Sequence, residues 1–256
     1  MKEQEKNSIN CILKEIEKEE NVKILLAVEA GSRAYGLNQQ DSDYDVRFLY
    51  VRPIKEYLRL QPLKDVIEYK PDCDLDLSGW DIKKGLSLFH GCNPSVFEWL
   101  ASNEIYIDSN FAKELRMLAP DYFSVRKSLH HYFNMAKRNY KLLKENEENP
   151  VKKYFSVLRP LLDCLWILQE RSMPPLHFDE MLELLQDESI KNQIKDMMAM
   201  KRENKAGNWP FLKEMKQFME MNLKKIEDEV SHLPYEKVQG WQALEELFLK
   251  TVRNNK

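Results

Sequence analysis

The sequence predicts an α+β protein: a mixed sheet flanked by helices in the N-terminal part, then an all-α region. Three observations predict it. Short apolar or period-two stretches occur between residues 22 and 108 and give way to other patterns afterwards. Two of those stretches, around Asp43–Tyr50 and Asp72–Asp81, carry aspartates at alternate positions. Beyond Ser109 leucines and methionines recur at helical spacing among lysines and glutamates, with no further strand signal. The expected division is a domain over 1–118 and a helical domain over 119–256.

Taken in order, Ile9, Ile12, Leu13 and Ile16 form one face of an amphipathic helix over 5–20. The run from Val22 to Ala30 reads as a buried strand, and Gly31-Ser32 opens a short turn or helix that ends near Gly36. A polar loop, Asn38 to Asp41, precedes the first acidic strand, which Pro53 stops. One or two helical turns follow over Ile54–Leu60, then a short strand over Asp65–Tyr69 and the second acidic stretch. Asp81 is placed to cap a helix over 82–91, and Asn93-Pro94 starts another that runs to Ala101. Glu104–Asp108 adds an edge strand. Helices are expected over 109–118, 121–145, 150–172, 178–186, 188–205, 209–229 and 235–253. Pro120, the turn from Glu145 to Pro150, Pro174-Pro175, Gly207 and Pro234 separate them, and Pro160 implies a kink or break.

At 256 residues with 43% hydrophobic side chains, the chain has enough apolar material for a core. Its formal charge of −3 creates no global basic field, so contact with a polynucleotide has to come from a local patch. Cys11, Cys73, Cys92 and Cys164 lack C-x-x-C spacing and a neighbouring His cluster, which speaks against zinc or a disulfide framework. No apolar run approaches ~18 residues, and the polar N-terminus does not read as a signal peptide. A soluble, cytoplasmic protein without a membrane partner is the expectation.

On the first acidic strand Tyr44, Val46, Phe48 and Tyr50 point one way, and Asp43, Asp45, Arg47 and Leu49 the other. Two carboxylates sharing one face of a buried strand repel each other unless a cation lies between them. A divalent ion is one remedy, and carboxylate oxygens suit Mg²⁺ or Mn²⁺. Arg47, on the same face, is either their counter-ion or a phosphate ligand. In the second stretch Asp72, Asp74 and Asp76 share a face.

Gly31-Ser32, ten intervening residues, then Asp43-Tyr44-Asp45-Val46 resembles the signature of the DNA polymerase β-like nucleotidyltransferases. The wider stretch GSRAYG…DSDYDVRFLYVRP is similar to a bacterial and phage family of predicted nucleotidyltransferases described as RNA-repair-associated or YcgL-like. The resemblance implies Mg²⁺ (or Mn²⁺) held by Asp43, Asp45 and a third carboxylate on a neighbouring strand. Asp76, between two leucines and leading into Ser78-Gly79, matches that hydrophobic–acid–hydrophobic pattern better than Asp74. It also implies that Gly31 and Ser32 approach the β- and γ-phosphates of an NTP. Arg33 is a phosphate ligand or a surface residue, and Glu29 has no assigned role.

In the helical half, residues 152–162 resemble the narrower family. Lys152, Ser156 and Arg159 share a helical face that reads either as a triphosphate- or base-binding edge or as a solvated one. The adjacent His130 and His131 diverge on a helix, and Arg126 with His131 is a weak match to the R-x4-H spacing of HEPN ribonucleases. Met197, Met198, Met200, Trp166, Phe211, Phe218, Trp241 and Phe248 read as packing, and the stretches Lys137–Lys144 and Lys213–Lys225 as solvated faces.

The functional expectation is transfer of a nucleoside monophosphate from an NTP to an acceptor hydroxyl. The family resemblance suggests an RNA end as acceptor; a small molecule or a protein are the alternatives. Two rival functions are a nucleotide-binding regulatory module without turnover and an antitoxin-type nucleotidyltransferase acting on a partner protein.

Overall fold

The computed structural model describes residues 3–39, 41–70, 74–145, 151–203, 213–236 and 239–255. Gln40, Asp72, Cys73, Gly207, Phe211 and the turn residues 146–150 lie outside the described residues, and so do the expectations made for them. The chain forms two compact units. The first comprises Met1–Ala34, Asp43–Tyr122 and Val238–Lys256, the second Tyr35–Ser42 and Phe123–Lys237.

The first unit carries α1 (Glu3–Glu19), β1 (Lys23–Glu29), α2 (Gly31–Ala34), β2 (Tyr44–Val51), α3 (Ile54–Tyr57), β3 (Val66–Tyr69), β4 (Leu75–Asp81), α4 (Ile82–His90), α5 (Pro94–Ala101), β5 (Ile105–Asp108), α6 (Asn110–Tyr122) and α12 (Gln242–Asn254). Its strands form a five-stranded mixed sheet in the order β3-β4-β2-β1-β5. β2 runs antiparallel to β1 and parallel to β4. The period-two pattern of β2 sorts its side chains. Val46, Phe48 and Tyr50 join Ile9, Leu13 and Ile16 of α1 in one core. On the opposite face Leu49 meets α4, where a Cβ at Gly85 would lie 2.7 Å from Leu49 Cδ2. Phe48 pairs in register with Gly79, and its ring fills the place of a Cβ there. Asp81 ends β4 and caps α4, its Oδ1 accepting from the Lys83 amide at 2.8 Å.

The second unit contains α7 (Val125–Glu145), α8 (Val151–Glu170), α9 (Phe178–Met181) with a 3₁₀ turn over Leu182–Leu184, α10 (Glu188–Arg202) and α11 (Lys213–His232). α7, α8 and α11 pack on one another around a core that includes Leu129, Phe133, Tyr154, Leu161, Met215 and Ile226. Leu37, from the short 35–42 segment, is part of that core.

Several expectations need correction. α6 continues through Pro120 to Tyr122, and α8 runs unbroken through Pro160. Proline cannot donate to the carbonyl four residues back, which in α8 belongs to Ser156. That carbonyl instead accepts from Asn139 Nδ2 at 2.7 Å, so the helix loses no hydrogen-bond acceptor partner where it would otherwise break. The C-terminal helix begins at Gln242, not near 235, and packs on α4 and α6 in the first unit, whereas a cut at residue 118 puts it with the second. Trp241 is not core: it is 46% exposed and stacks on His90, ring centroids 3.7 Å apart. Met197, Met198 and Phe218 are buried, Met200, Trp166 and Phe248 half-buried.

Candidate active site

The parallel register of β2 and β4 pairs Asp45 with Asp76 directly. Arg47, two residues along β2 on the same face, lies between them. Its Nη2 is 3.2 Å from Asp45 Oδ1 and 3.0 Å from Asp76 Oδ2, and its Nη1 donates to the Val46 and Asp76 carbonyls at 3.1 and 3.0 Å. The guanidinium is thus in the counter-ion arrangement. Asp76 Oδ1 is buried and accepts no hydrogen bond among the described residues; Lys70 Nζ lies 3.7 Å away.

Gly31 opens α2 against Asp45. Its φ of +59° falls where a Cβ is strained, and a Cβ there would lie 2.1 Å from Asp45 Oδ2. The Gly-Ser turn therefore packs against the carboxylate itself, and only glycine leaves room for it. Ser32 follows, half-buried. Arg33 donates from Nε to the Asp43 carbonyl at 3.2 Å and lies over the Tyr44 ring at 3.8 Å, tying α2 to the entrance of β2. Asp43 itself is exposed, one residue before β2 begins. Asp74, also exposed, accepts through its carbonyl from the Tyr44 amide at 2.8 Å, which sets the same entrance beside β4.

Glu29, without a role in the sequence reading, stands behind Asp45. It is 2% exposed, and its Oε1 accepts from the Asp45 amide at 3.0 Å while its Oε2 accepts from the Tyr106 hydroxyl at 2.5 Å. Burial pushes the Glu29 carboxyl up, with the Tyr106 and Asp45 hydrogen bonds pulling the other way. An acid ending an otherwise apolar strand was the sequence signal for it. Tyr106 had none, because only the pairing of β5 with β1 brings it there.

The predicted residues of α8 divide. Lys152 and Ser156 are exposed, the Ser156 hydroxyl donating to the Lys153 carbonyl at 2.7 Å. Arg159 is buried, donates to the Leu176 and Pro175 carbonyls at 2.5 and 3.2 Å, pairs with Asp163 at 3.3 Å and lies over the Tyr35 ring. Its guanidinium is buried within the helical unit, so Arg159 does not share an exposed face with Lys152. Burial, aided by repulsion from Lys152, lowers Lys201 to about 8; its ammonium donates to the Leu37 carbonyl at 2.6 Å. Arg126 donates to the Leu233 carbonyl and lies over Tyr235, anchoring the start of α7.

As donors, the Asp45–Asp76 pair supplies hard oxygens, one of them buried and without a hydrogen bond, which fits a divalent cation of the Mg²⁺ class. A three-carboxylate cage is not drawn together: among the described residues no three His, Cys, Asp or Glu side chains are grouped to hold an ion.

Residues 6–250 match the profile described as RlaP: RNA repair pathway DNA polymerase beta family. The chain belongs to the RlaP family. A relative, the uncharacterized protein YcgL of Bacillus subtilis (strain 168), is 39% identical over 243 residues, covering 94% of each chain. A solved nucleotidyltransferase-like protein from Exiguobacterium sibiricum 255-15 aligns with 96% of this chain and 80% of its own, at 12% identity and a TM-score of 0.33. RlaP membership places the chain among the polymerase β-like nucleotidyltransferases, which typically use divalent metals. No helix among the described residues is long and apolar enough to cross a membrane.

Proposed function

We propose that this RlaP-family protein transfers a nucleoside monophosphate from an NTP to the hydroxyl of an RNA end. The observation that carries the reading is the Asp45–Asp76 pair, in register on adjoining strands, with the Gly31 turn pressed against Asp45. The family's link to an RNA repair pathway supports RNA as the acceptor.

Asp45 and Asp76 would hold the Mg²⁺ or Mn²⁺; Asp43, exposed one residue before β2, is the further carboxylate that the family resemblance implies. The chemistry such an ion would supply there is charge neutralisation at the phosphates and a more acidic acceptor hydroxyl. The chain's own groups do the rest. Glu29, itself held by Tyr106, accepts from the Asp45 amide and so fixes the backbone of Asp45 beside the Gly31 turn. Ser32 and the amides that open α2 would meet the phosphates, while Gly31 leaves room for the Asp45 carboxylate beside them. Arg33 holds the entrance of β2 against α2. In this reading the Asp76 carboxylate, beside the ion, would help to take the acceptor proton as the new O–P bond forms and pyrophosphate leaves.

The test is incubation with each α-³²P NTP, Mg²⁺ or Mn²⁺ and pooled RNA, beside Asp45→Asn. Label moving onto RNA with wild type and not with the variant is the expected result. Nucleotide binding without transfer across a broad acceptor screen makes the protein a regulatory module. Label on a co-purifying protein makes it an antitoxin-type transferase.

A further inference from the structure

The lysine stretches that look like separate solvated faces in the sequence converge in the helical unit. A cavity of ≈ 640 Å³ lies between α7 and α11, lined by Lys137, Arg138, Lys141 and Lys144 from one helix and Lys224 from the other. Phe133, Tyr140 and Leu223 provide an apolar floor, over which Lys137 and Lys144 fold. Two carboxylates also line it, and each is engaged internally. Glu227 pairs with Lys137 at 2.6 Å, and Glu220 accepts from the Tyr140 hydroxyl at 2.8 Å. Arg138 and Lys224 have no ion pair among the described residues, and Lys141 reaches only Glu145, on the solvent side, at 3.9 Å.

We propose that this groove is a second binding site, for the sugar–phosphate backbone of RNA. The cations on α7 follow one another at i, i+1, i+4 and i+7, a row ~10 Å long at ~1.5 Å per residue. A row of that length meets several successive phosphates, whereas a mononucleotide needs only one cluster of charge. The floor rings are themselves buried, with the Lys137 and Lys144 ammonium groups over them, so they are not open to stack with bases and the groove offers a strand its charge. Recognition is therefore of backbone charge, independent of base sequence. This inference rests on the reading of RNA as acceptor: the groove retains the strand whose end reacts elsewhere.

Fluorescence anisotropy of a labelled single-stranded RNA 12-mer, across a salt series and without NTP or metal, tests it. Arg138→Gln/Lys141→Gln/Lys224→Gln is expected to bind at least ~10-fold more weakly at ~100 mM salt. Its log K against log salt slope should be shallower by about 2, since each lost phosphate contact on a single strand removes ~0.7. Far-UV circular dichroism and the thermal midpoint check that the variant is folded; Lys141→Gln alone, expected to weaken binding a few-fold, serves if it is not. Asp45→Asn should bind RNA as wild type does, which separates this site from the acidic strands. Unchanged affinity and slope in the variants, or loss of RNA binding in Asp45→Asn alone, overturns the proposal. So does poly-glutamate binding as tightly as RNA and responding to the same substitutions, which would make the groove a protein-docking surface. Groove binding that persists when no NTP label is ever transferred overturns the catalytic reading and leaves this one standing.

Discussion

Asp45 and Asp76 sit opposite each other on adjacent parallel strands and share a single nitrogen, Arg47 Nη2, at 3.2 and 3.0 Å. The guanidinium offsets a repulsion that two neighbouring carboxylates would otherwise feel, and a divalent ion could take over that role.

Arg47→Met should therefore lower stability in EDTA by about 1 kcal/mol, a thermal shift of a few degrees for partly exposed groups. Adding millimolar Mg²⁺ should restore more stability in the variant than it adds to wild type. Differential scanning calorimetry with EDTA and with Mg²⁺ measures both. A variant as stable as wild type in EDTA would contradict the counter-ion role.

Gly31→Ala introduces a Cβ 2.1 Å from Asp45 Oδ2 at a φ of +59°. The expected cost is about 1–3 kcal/mol, read from denaturant unfolding. NMP transfer should fall by at least ~100-fold in the folded variant, because a carboxylate displaced by about 1 Å no longer holds its geometry. Transfer at the wild-type rate would mean that Asp45 is not part of the reacting site.

Arg159→Met should destabilise the protein by about 3–5 kcal/mol, since it removes the cation facing the buried Asp163 and leaves the Leu176 and Pro175 carbonyls without their donor. Lys152→Gln, at an exposed position of the same helix, should change the urea midpoint by less than ~0.5 kcal/mol equivalent. Equal, small effects would show that the two residues do share a solvated face.

Lys201 links stability to alkaline pH. Its folded value is lowered to about 8 by burial and by Lys152, while in the unfolded chain it lies near 10.5. Between those values the unfolded chain binds more protons, so this residue's contribution to stability rises as pH climbs from about 8 to 10.5. Relative to Lys201→Met, wild type should gain on the order of 1 kcal/mol across that window, screened because the amine is only partly buried. Thermal melts of both proteins in a pH series give the difference; a flat difference would refute it.

The sequence by itself determined the local elements and the chemistry they carry. The alternation in β2 separates the Val46–Phe48–Tyr50 face, now packed on α1, from the Asp45–Arg47 face, because strand periodicity is a property of the backbone. Asp81 caps α4, readable from residue type and spacing, and the family resemblance put Gly31 at the site, where it packs against Asp45. The Gly-Ser to Asp-x-Asp spacing was also enough to point to the family that residues 6–250 match. Only the tertiary structure decided the long-range pairings: Asp76 against Asp45, Tyr106 behind Glu29, Asn139 rescuing the Ser156 carbonyl so that α8 survives Pro160. It also buried Arg159 and brought the lysines of α7 and α11 to one groove. A local pattern states which face of an element is polar; which partner that face meets depends on register and packing between segments distant in the chain, and no single stretch carries that information.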